Sequence, residues 1–346
     1  MMAEKVTSLQ VAERAGVSQS AVSRVFTPGA SVSAKTAEKV RKAATELGYR
    51  PNVLARAMVS GKSRIIGLVV AYLENYFYPE ALEKMSNALQ EQGYHLLIFM
   101  ASQTTESVDD VLSELLDYQV DGIIMASVGM SSDVARRCQA AGVPVVLFNR
   151  DQDDEGLSAV TSDNVRGGHK VATFLAAAGH QRPAYIAGWE GASTQRDREA
   201  GYRAGLAEAG LPLAAREVGD FRTDRAMEAA RRMFAAPAGE RPDAVFVAND
   251  HMALSVMDVL RFELNLSIPA DVSVVGYDDV PPAAWAAYGL TTIRQRANLM
   301  VAEAIKALMD QIEEPGTAKP LRARIDGPLI IRQSARIPDT WQTRDT

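Results

Sequence analysis

The chain has 346 residues, 47% of them hydrophobic and 23% charged, which is enough for two or three globular domains. No apolar run approaches the roughly 20 residues of a membrane span, and the opening MMAEKVTSLQ lacks the apolar stretch of a signal peptide, so we expect a cytoplasmic protein. The net charge of −6 is uneven, because residues 1–64 carry a net +7 and the rest a net −13. A basic segment joined to an acidic body is typical of a protein in which one module binds nucleic acid.

Residues 1–51 predict a helix-turn-helix headpiece whose first helix spans Leu9–Ala15. Ser8 is the expected N-cap, and Gly16 supplies the left-handed residue that ends the helix. Leu9 and Ala12 share the face that we expect to pack in the headpiece core.

The second helix is predicted over Gln19–Phe26, with Ser18 as its N-cap and Val22 and Val25 facing the first helix. A recognition helix in the major groove needs short polar or planar side chains on its outer face, and an arginine can bind guanine through two hydrogen bonds. The outward residues are Gln19, Ser20, Ser23 and Arg24.

A third helix over Ala34–Leu47 completes the predicted headpiece. Val40, Ala44 and Leu47 lie on its inner face, and Gly48 ends it. The tight glycine turn between two capped helices favours a DNA-binding module over an unspecialised helical cap.

Residues 52–64 predict a hinge. After Pro51, Asn52 can cap a helix over Val53–Val59. A helix of about two turns is marginal in water, so we expect it to fold when it pairs with the same segment of a second copy on DNA.

From residue 65 onward, strand-length apolar runs alternate with amphipathic helices, which predicts an α/β body with parallel sheets covered on both faces. The predicted strands are Ile65–Ala71, Tyr94–Met100, Gly122–Ala126, Val143–Phe148, Ala184–Ala187, Ala244–Ala248, Val272–Gly276 and Pro328–Gln333. The predicted helices are Pro79–Gln92, Ser107–Tyr118, Ser132–Ala141, Val165–Ala178, Arg198–Ala209, Asp224–Phe234, Asp250–Leu260 and Arg296–Ile312.

This many strands requires two sheets and therefore two subdomains within residues 65–346. We expect the first subdomain to contain about 65–161 and 291–322, with LTTIRQ crossing back into it, and the second to contain about 162–290 and 323–340. In open α/β sheets ligands bind at the carboxyl ends of the strands, so the cleft between the subdomains is the expected binding site.

Several sequence runs resemble the lactose/galactose repressor family of bacterial transcription regulators. They are VAERAGVSQSAVSRVF, VSAKTAEKVRKAATELGYRPN, VVGYDDVP and LTTIRQ, and the resemblance spans nearly the whole chain. It implies a periplasmic-binding-protein-like body and a homodimeric repressor that binds a pseudo-palindromic operator. A small metabolite, with a sugar or sugar acid favoured, would control that binding.

The resemblance also implies which residues contact DNA. In the family a hinge leucine wedges open a base step in the minor groove, and this chain has Met58 at that position. The expected DNA contacts are Thr7, Ser8, Ser18, Gln19, Ser20, Ser23, Arg24, Ser31, Asn52, Ala55, Arg56 and Met58.

For the effector, the resemblance places Arg198 and Asp278 where the family binds hydroxyl or carboxylate groups, and Phe221 where an aromatic ring stacks on the ligand. The other expected contacts are Tyr76, Phe77, Asn149, Arg150, Asn249 and Gln295. The family often carries an acidic residue where this chain has Asn149 and Arg150. Two structural alternatives stay open, since strand-end Asp and Asn often cap the next helix and Arg198 could form a surface ion pair.

No residue spacing indicates catalysis. The four histidines are not spaced with Cys or Asp as metal ligands, and no nucleophile–base order is recognisable, so we expect no enzyme activity, metal or cofactor. A nucleotide-dependent enzyme would need a glycine-rich loop after its first strand, and IIGLVVAYLENYF has none. The main alternative is a periplasmic-type sugar-binding protein, which would share the body and lack the headpiece.

Overall fold

A computed structural model describes residues 6–27, 30–50, 62–101, 105–128, 132–152 and 156–341. The chain forms two compact units, Met1–Arg64 and Ile65–Thr346. The predicted hinge helix Val53–Val59, with the expected contacts Asn52, Ala55, Arg56 and Met58, lies outside the described residues.

The headpiece contains α1 (Ser8–Ala15), α2 (Gln19–Val25) and α3 (Ala34–Leu47). Its small core consists of Val11, Ala12, Val22, Val40, Ala43 and Ala44. Gly16 and Gly48 end α1 and α3 with φ of 64° and 68°, where glycine has no Cβ to clash.

Two expectations for α1 are wrong. Thr7 is the N-cap in place of Ser8, because its hydroxyl accepts from the Gln10 amide while the Gln10 side chain accepts from the Thr7 amide at 2.8 Å. Leu9 is 53% exposed, because the buried face of the helix is centred on Val11 and Ala12.

The body alternates strands and helices. Its strands are β1 (Ile65–Val70), β2 (His95–Met100), β3 (Gly122–Ala126), β4 (Val145–Phe148), β5 (Ser158–Ser162), β6 (Pro183–Ala187), β7 (Ala215–Val218), β8 (Ala244–Val247), β9 (Ser273–Asp278), β10 (Thr291–Arg294), β11 (Arg322–Ile325) and β12 (Leu329–Ile330). Its helices are α4 (Phe77–Glu91), α5 (Thr105–Asp117), α6 (Ser132–Ala140), α7 (Asn164–Ala177), α8 (Ser193–Glu208), α9 (Thr223–Phe234), α10 (Asp250–Asp258) and α11 (Ala297–Glu313).

The strands form two six-stranded sheets, which define two lobes. The first lobe has the order β11-β5-β4-β3-β1-β2 and the second has β12-β10-β9-β8-β6-β7. Among the described residues, every strand pairing is parallel except that of β10 with β12. The strands near the sheet centres are nearly all buried, which explains their continuous apolar runs. Among the described residues no helix is long and apolar enough to cross a membrane.

The lobe boundaries differ from the expectation at two strands. The LTTIRQ segment, which we expected in the first lobe, belongs to the sheet of the second lobe, because Thr291 to Arg294 pair with Val275 to Asp278 of β9. Conversely, β11 pairs with β5 of the first lobe. The strands β5, β7 and β11 were not predicted, because SAVTS, AREV and RARI contain polar residues in place of an apolar run.

Three crossover segments therefore join the lobes, after β5, β10 and β11. They lie against one another, since the Asp163 amide donates to the Ile325 carbonyl and the Arg294 amide to the Pro328 carbonyl, both at 2.9 Å. A Cβ on Gly327 would lie 2.0 Å from the Arg294 carbonyl oxygen, so glycine is required for this approach.

Candidate functional site

A small cavity lies between the two lobes, beyond the carboxyl ends of their strands. The first lobe contributes Tyr72, Asn75, Tyr78, Asn149 and Arg150. The second lobe contributes Thr194, Arg198, Phe221, Asn249 and Asp278. Strand ends meet here because both sheets are parallel, which is why residues distant in sequence share one site.

Arg198 is held in the second-lobe wall by four groups. It is 2% exposed, and its Nε donates to Asn164 Oδ1 at 2.9 Å. Its Nη1 donates to the Ala248 carbonyl, its Nη2 lies 3.6 Å from Asp278 Oδ1, and its guanidinium lies 3.7 Å from the centre of the Tyr277 ring. The surface ion pair that the sequence left open is therefore excluded by burial.

Asp278 ends β9 with φ of 133° and is the acceptor at the centre of the site. Gln295 Nε2 donates to its Oδ1 at 2.7 Å, and Asn75 Nδ2 donates to its Oδ2 at 2.9 Å. Burial raises the pKa of Asp278, while the charge of Arg198 and the two amide donors lower it. Since Asn75 belongs to the first lobe, its hydrogen bond connects the lobes across the cleft.

Asp250, the first residue of α10, lies fully buried behind this site. Its Oδ1 accepts from Thr292 Oγ1 at 2.6 Å and its Oδ2 from the Val280 amide at 3.0 Å. Burial, followed by the nearby charge of Asp278, raises its pKa. These contacts connect α10 to the neighbouring strand β10 and to the backbone two residues after Asp278.

In the first lobe, Asn149 and Tyr78 form a buried polar cluster. Asn149 has φ of 69°, and its Nδ2 donates to the Tyr78 hydroxyl at 2.9 Å. The Tyr78 and Ser127 hydroxyls are hydrogen-bonded to each other. The Asn149 carbonyl Oδ1 has no hydrogen-bond partner among the described residues.

Two further buried polar atoms at the site lack partners among the described residues. Asn249 Oδ1 accepts from the Met252 amide at 3.0 Å and so caps α10, whereas Asn249 Nδ2 has no partner. Gln295 Oε1 is also without one. Buried polar atoms are nearly always hydrogen-bonded, so a group of unsatisfied ones around a cavity indicates a polar ligand.

Of the nine residues expected to contact an effector, six line the cavity: Asn149, Arg150, Arg198, Phe221, Asn249 and Asp278. Gln295 contacts Asp278 without lining the cavity. Ligand contact by these residues stays a prediction.

The expected positions of Tyr76 and Phe77 need correction. Tyr76 is 48% exposed at the start of α4, and Phe77 is 2% exposed and stacks on Phe148 in the core. Each helical residue turns by about 100°, so Tyr78 faces the cavity instead. Sequence analysis missed Tyr72, Asn75, Tyr78 and Thr194, although YLENYFY follows β1 directly and could have indicated the first three.

The headpiece presents a second candidate surface. Gln19, Ser20, Ser23 and Arg24 are all exposed on α2. Ser18 caps this helix through the Ala21 amide, and Gln19 Nε2 donates to Ser8 Oγ at 2.9 Å. Thr7 and Ser31 are exposed as well. DNA contact by each of these residues remains a prediction.

Comparisons with known proteins found relatives of both the headpiece and the body. Residues 9–52 match the family described as bacterial regulatory proteins, lacI family, and residues 172–335 match a periplasmic binding protein-like domain. The ribose operon repressor of Escherichia coli (strain K12) is 31% identical over 95% of this chain and 99% of its own. The HTH-type transcriptional regulator CelR of Thermobifida fusca is 34% identical over 94% of this chain and 96% of its own.

Solved structures are similar along the same length. The lac repressor dimer bound to operator and the anti-inducer ONPF is 28% identical, with a TM-score of 0.85 over 96% of this chain and 99% of that one. A complex of the transcriptional regulator CelR with cellobiose is 32% identical, with a TM-score of 0.72 over 95% of this chain and 100% of that one.

Proposed function

Because this chain belongs to the lacI family of bacterial regulatory proteins, we propose that it represses transcription from a pseudo-palindromic operator and that a small polyhydroxyl metabolite in the cleft sets its operator affinity. The chain is a DNA-binding transcriptional regulator, and a palindrome requires two headpieces, so the working form is a homodimer. The relatives named above are transcriptional regulators, which favours a non-enzymatic, cytoplasmic role.

The observation that carries the effector proposal is the pair of unsatisfied atoms Asn149 Oδ1 and Asn249 Nδ2, which belong to residues that line the cavity. One acceptor and one donor suit ligand hydroxyl groups, each of which can donate and accept. Phe221 supplies an apolar face beside them. The relatives named for ribose and cellobiose support a sugar.

Effector binding controls DNA only if it favours one arrangement of the lobes over another. Asn75 and Asp278 are hydrogen-bonded across the cleft, so a ligand that contacts both stabilises the closed arrangement. In the dimer, this closure would change the distance between the two hinge segments and thus the operator affinity. The ligand acts as an inducer if the closed form binds operator weakly, and as a corepressor if it binds tightly.

The test begins with a thermal-shift screen of monosaccharides and sugar acids against the full-length protein. Operator selected from genomic fragments is then titrated by fluorescence anisotropy with and without each compound that raises the melting temperature. We expect at least one compound to change the operator affinity of the wild type. Asp278→Asn should bind operator to within about twofold of wild type and lose the response, because a charge-assisted acceptor is removed from the cleft. An unchanged response in this variant would remove Asp278 from the effector site, and a protein that selects no operator would contradict the proposed function.

A further inference from the structure

The guanidinium of Arg150 is buried in the cleft without a counter-charge. Arg150 is 6% exposed and lines the cavity. Within the described part of the chain it forms no ion pair or hydrogen bond, and its recorded contact is with the face of the Trp189 ring, whose centre is 5.1 Å away. A buried cation is unfavourable unless an anion or several acceptors compensate it.

The other charges around the cavity are already paired. Arg198 lies beside Asp278, whose carboxylate also accepts from Asn75 and Gln295. Asp151, the neighbour of Arg150 in the chain, forms an ion pair with Arg322.

The residue before Arg150 does not compensate it either. Asn149 is neutral and is turned toward the Tyr78 and Ser127 hydroxyls, so no carboxylate is available at this strand end. The missing negative charge therefore has to come from outside the described residues of the chain.

A second feature beside Arg150 favours an anion. Thr194, in the first turn of α8, lines the same cavity. The N-cap of α8 is Ala192, and no side chain caps this sixteen-residue helix, so amides of its first turn lack intrahelical acceptors and the dipole is positive there. The two features adjoin, since the Asp151 amide donates to Ser193 Oγ at 2.9 Å. An arginine next to a free helix N-terminus is a suitable site for an oxyanion.

We propose that the effector carries an oxyanion, a carboxylate or a phosphate, which binds the Arg150 guanidinium at the N-terminal end of α8. The hydroxyl groups of the same molecule contact Asp278 and the unsatisfied amide atoms. This inference rests on the proposed function and narrows it, from a polyhydroxyl metabolite to an anionic sugar derivative.

Isothermal titration calorimetry of the full-length dimer tests it with matched probes. D-Ribose is compared with D-ribonate and with D-ribose 5-phosphate, and D-glucose with D-gluconate. In the wild type, at least one anion should bind about tenfold or more tightly than its neutral partner, as charge-assisted hydrogen bonds imply. If only ribonate or gluconate binds more tightly than its neutral partner, the site takes a carboxylate. If only ribose 5-phosphate does, the site takes a phosphate.

Variants then assign the preference to Arg150. In Arg150→Gln the anion preference should fall to about twofold or less, while Arg150→Lys should keep part of it, because the charge remains and the planar fork is lost. Arg225→Gln removes an exposed guanidinium from the same molecule and should leave the preference unchanged. If Arg150→Gln unfolds, Arg150→Lys still tests the assignment, because it keeps the positive charge and should lose only the part of the anion preference that depends on the planar guanidinium.

Three results would overturn the inference. The first is equal affinity for all neutral and anionic partners in the wild type, which leaves the proposed function intact. The second is an anion preference that survives in both Arg150 variants at wild-type strength. The third is the absence of binding by all five probes together with the absence of any hit in the monosaccharide and sugar-acid screen, which would contradict the proposed effector class as well.

Discussion

The side-chain amide of Asn75 donates a 2.9 Å hydrogen bond to the carboxylate of Asp278 across the cleft, although 203 residues separate the two in the chain. Asp278 is the residue that we expect to bind the effector. The same carboxylate therefore takes part in lobe closure and, in our proposal, in ligand recognition. Coupling of this kind is what an effector needs in order to shift the equilibrium between open and closed forms.

Replacing Asn75 should open the cleft. In Asn75→Asp a second carboxylate would face Asp278, and like charges at this distance repel, whereas the Oδ1 that accepts from the Phe77 amide is retained. We expect small-angle scattering to show a larger radius of gyration and calorimetry to show at least about tenfold weaker effector binding. Asn75→Ala should have a smaller effect of the same sign. An unchanged radius in both variants would mean that this hydrogen bond does not hold the lobes together.

Arg24 should read operator sequence. It is exposed on the recognition helix, and its guanidinium has no recorded partner within the described residues. Arg24→Ala should cost about 1–3 kcal/mol on operator and much less on unrelated DNA, because contacts to base edges depend on sequence. Arg14→Ala is the matched control, since this headpiece arginine forms an ion pair with Glu46 at 2.8 Å. Equal losses on both DNAs in anisotropy at one salt concentration would assign Arg24 to phosphate contact.

His180 should make the second lobe sensitive to acid. It is fully buried, its Nδ1 accepts from Arg336 at 2.5 Å, and burial followed by the charge of Arg336 lowers its pKa from 6.5 to about 4, while Asp243 acts in the opposite direction. The folded state therefore disfavours the proton. The stability that the neutral ring contributes is fully present above pH 6.5 and is lost as the pH falls through about 4.

Urea unfolding at pH 7.5, 5.5 and 4.5 measures this contribution. The free energy of unfolding of the wild type should fall relative to that of His180→Gln by up to about 3 kcal/mol over this range. His169→Gln is the control, since His169 is an exposed residue bonded to Glu208. Parallel pH profiles for the wild type and the His180 variant would show that His180 is not the acid-sensitive group.

Gly201 should be essential for the packing of α7 on α8. A Cβ at this position would lie 1.8 Å from the Val165 carbonyl oxygen, and the helices would have to separate. Gly201→Ala should lower the free energy of unfolding by about 3 kcal/mol and weaken effector binding, because Arg198 and Asn164 lie on these two helices. Gly239→Ala, where a Cβ has nothing within 4 Å, should change stability by less than about 0.5 kcal/mol. Wild-type stability of Gly201→Ala in denaturant would contradict the close packing.

Local sequence patterns were sufficient to predict many of the helices, helix caps and strands. The α3 helix has the predicted bounds Ala34–Leu47, and Ser18 and Gly48 occupy the predicted cap positions. These features depend on residues a few positions apart, through capping and hydrophobic periodicity. The sequence also predicted the strands with continuous apolar residues, because a strand buried on both faces has apolar side chains at every position.

Tertiary structure decided the features that depend on distant partners. Residues 291–294 form a short extended segment, TTIR, whose sequence does not indicate a lobe, and only pairing with β9 assigns them to the second. The phase of α4, set by where the chain leaves β1, directs Tyr78 and not Tyr76 or Phe77 toward the cavity. The bond from Asn75 to Asp278 and the unpaired charge of Arg150 arise where two lobes meet, and the free energy of such contacts depends on the three-dimensional neighbours that local sequence does not specify.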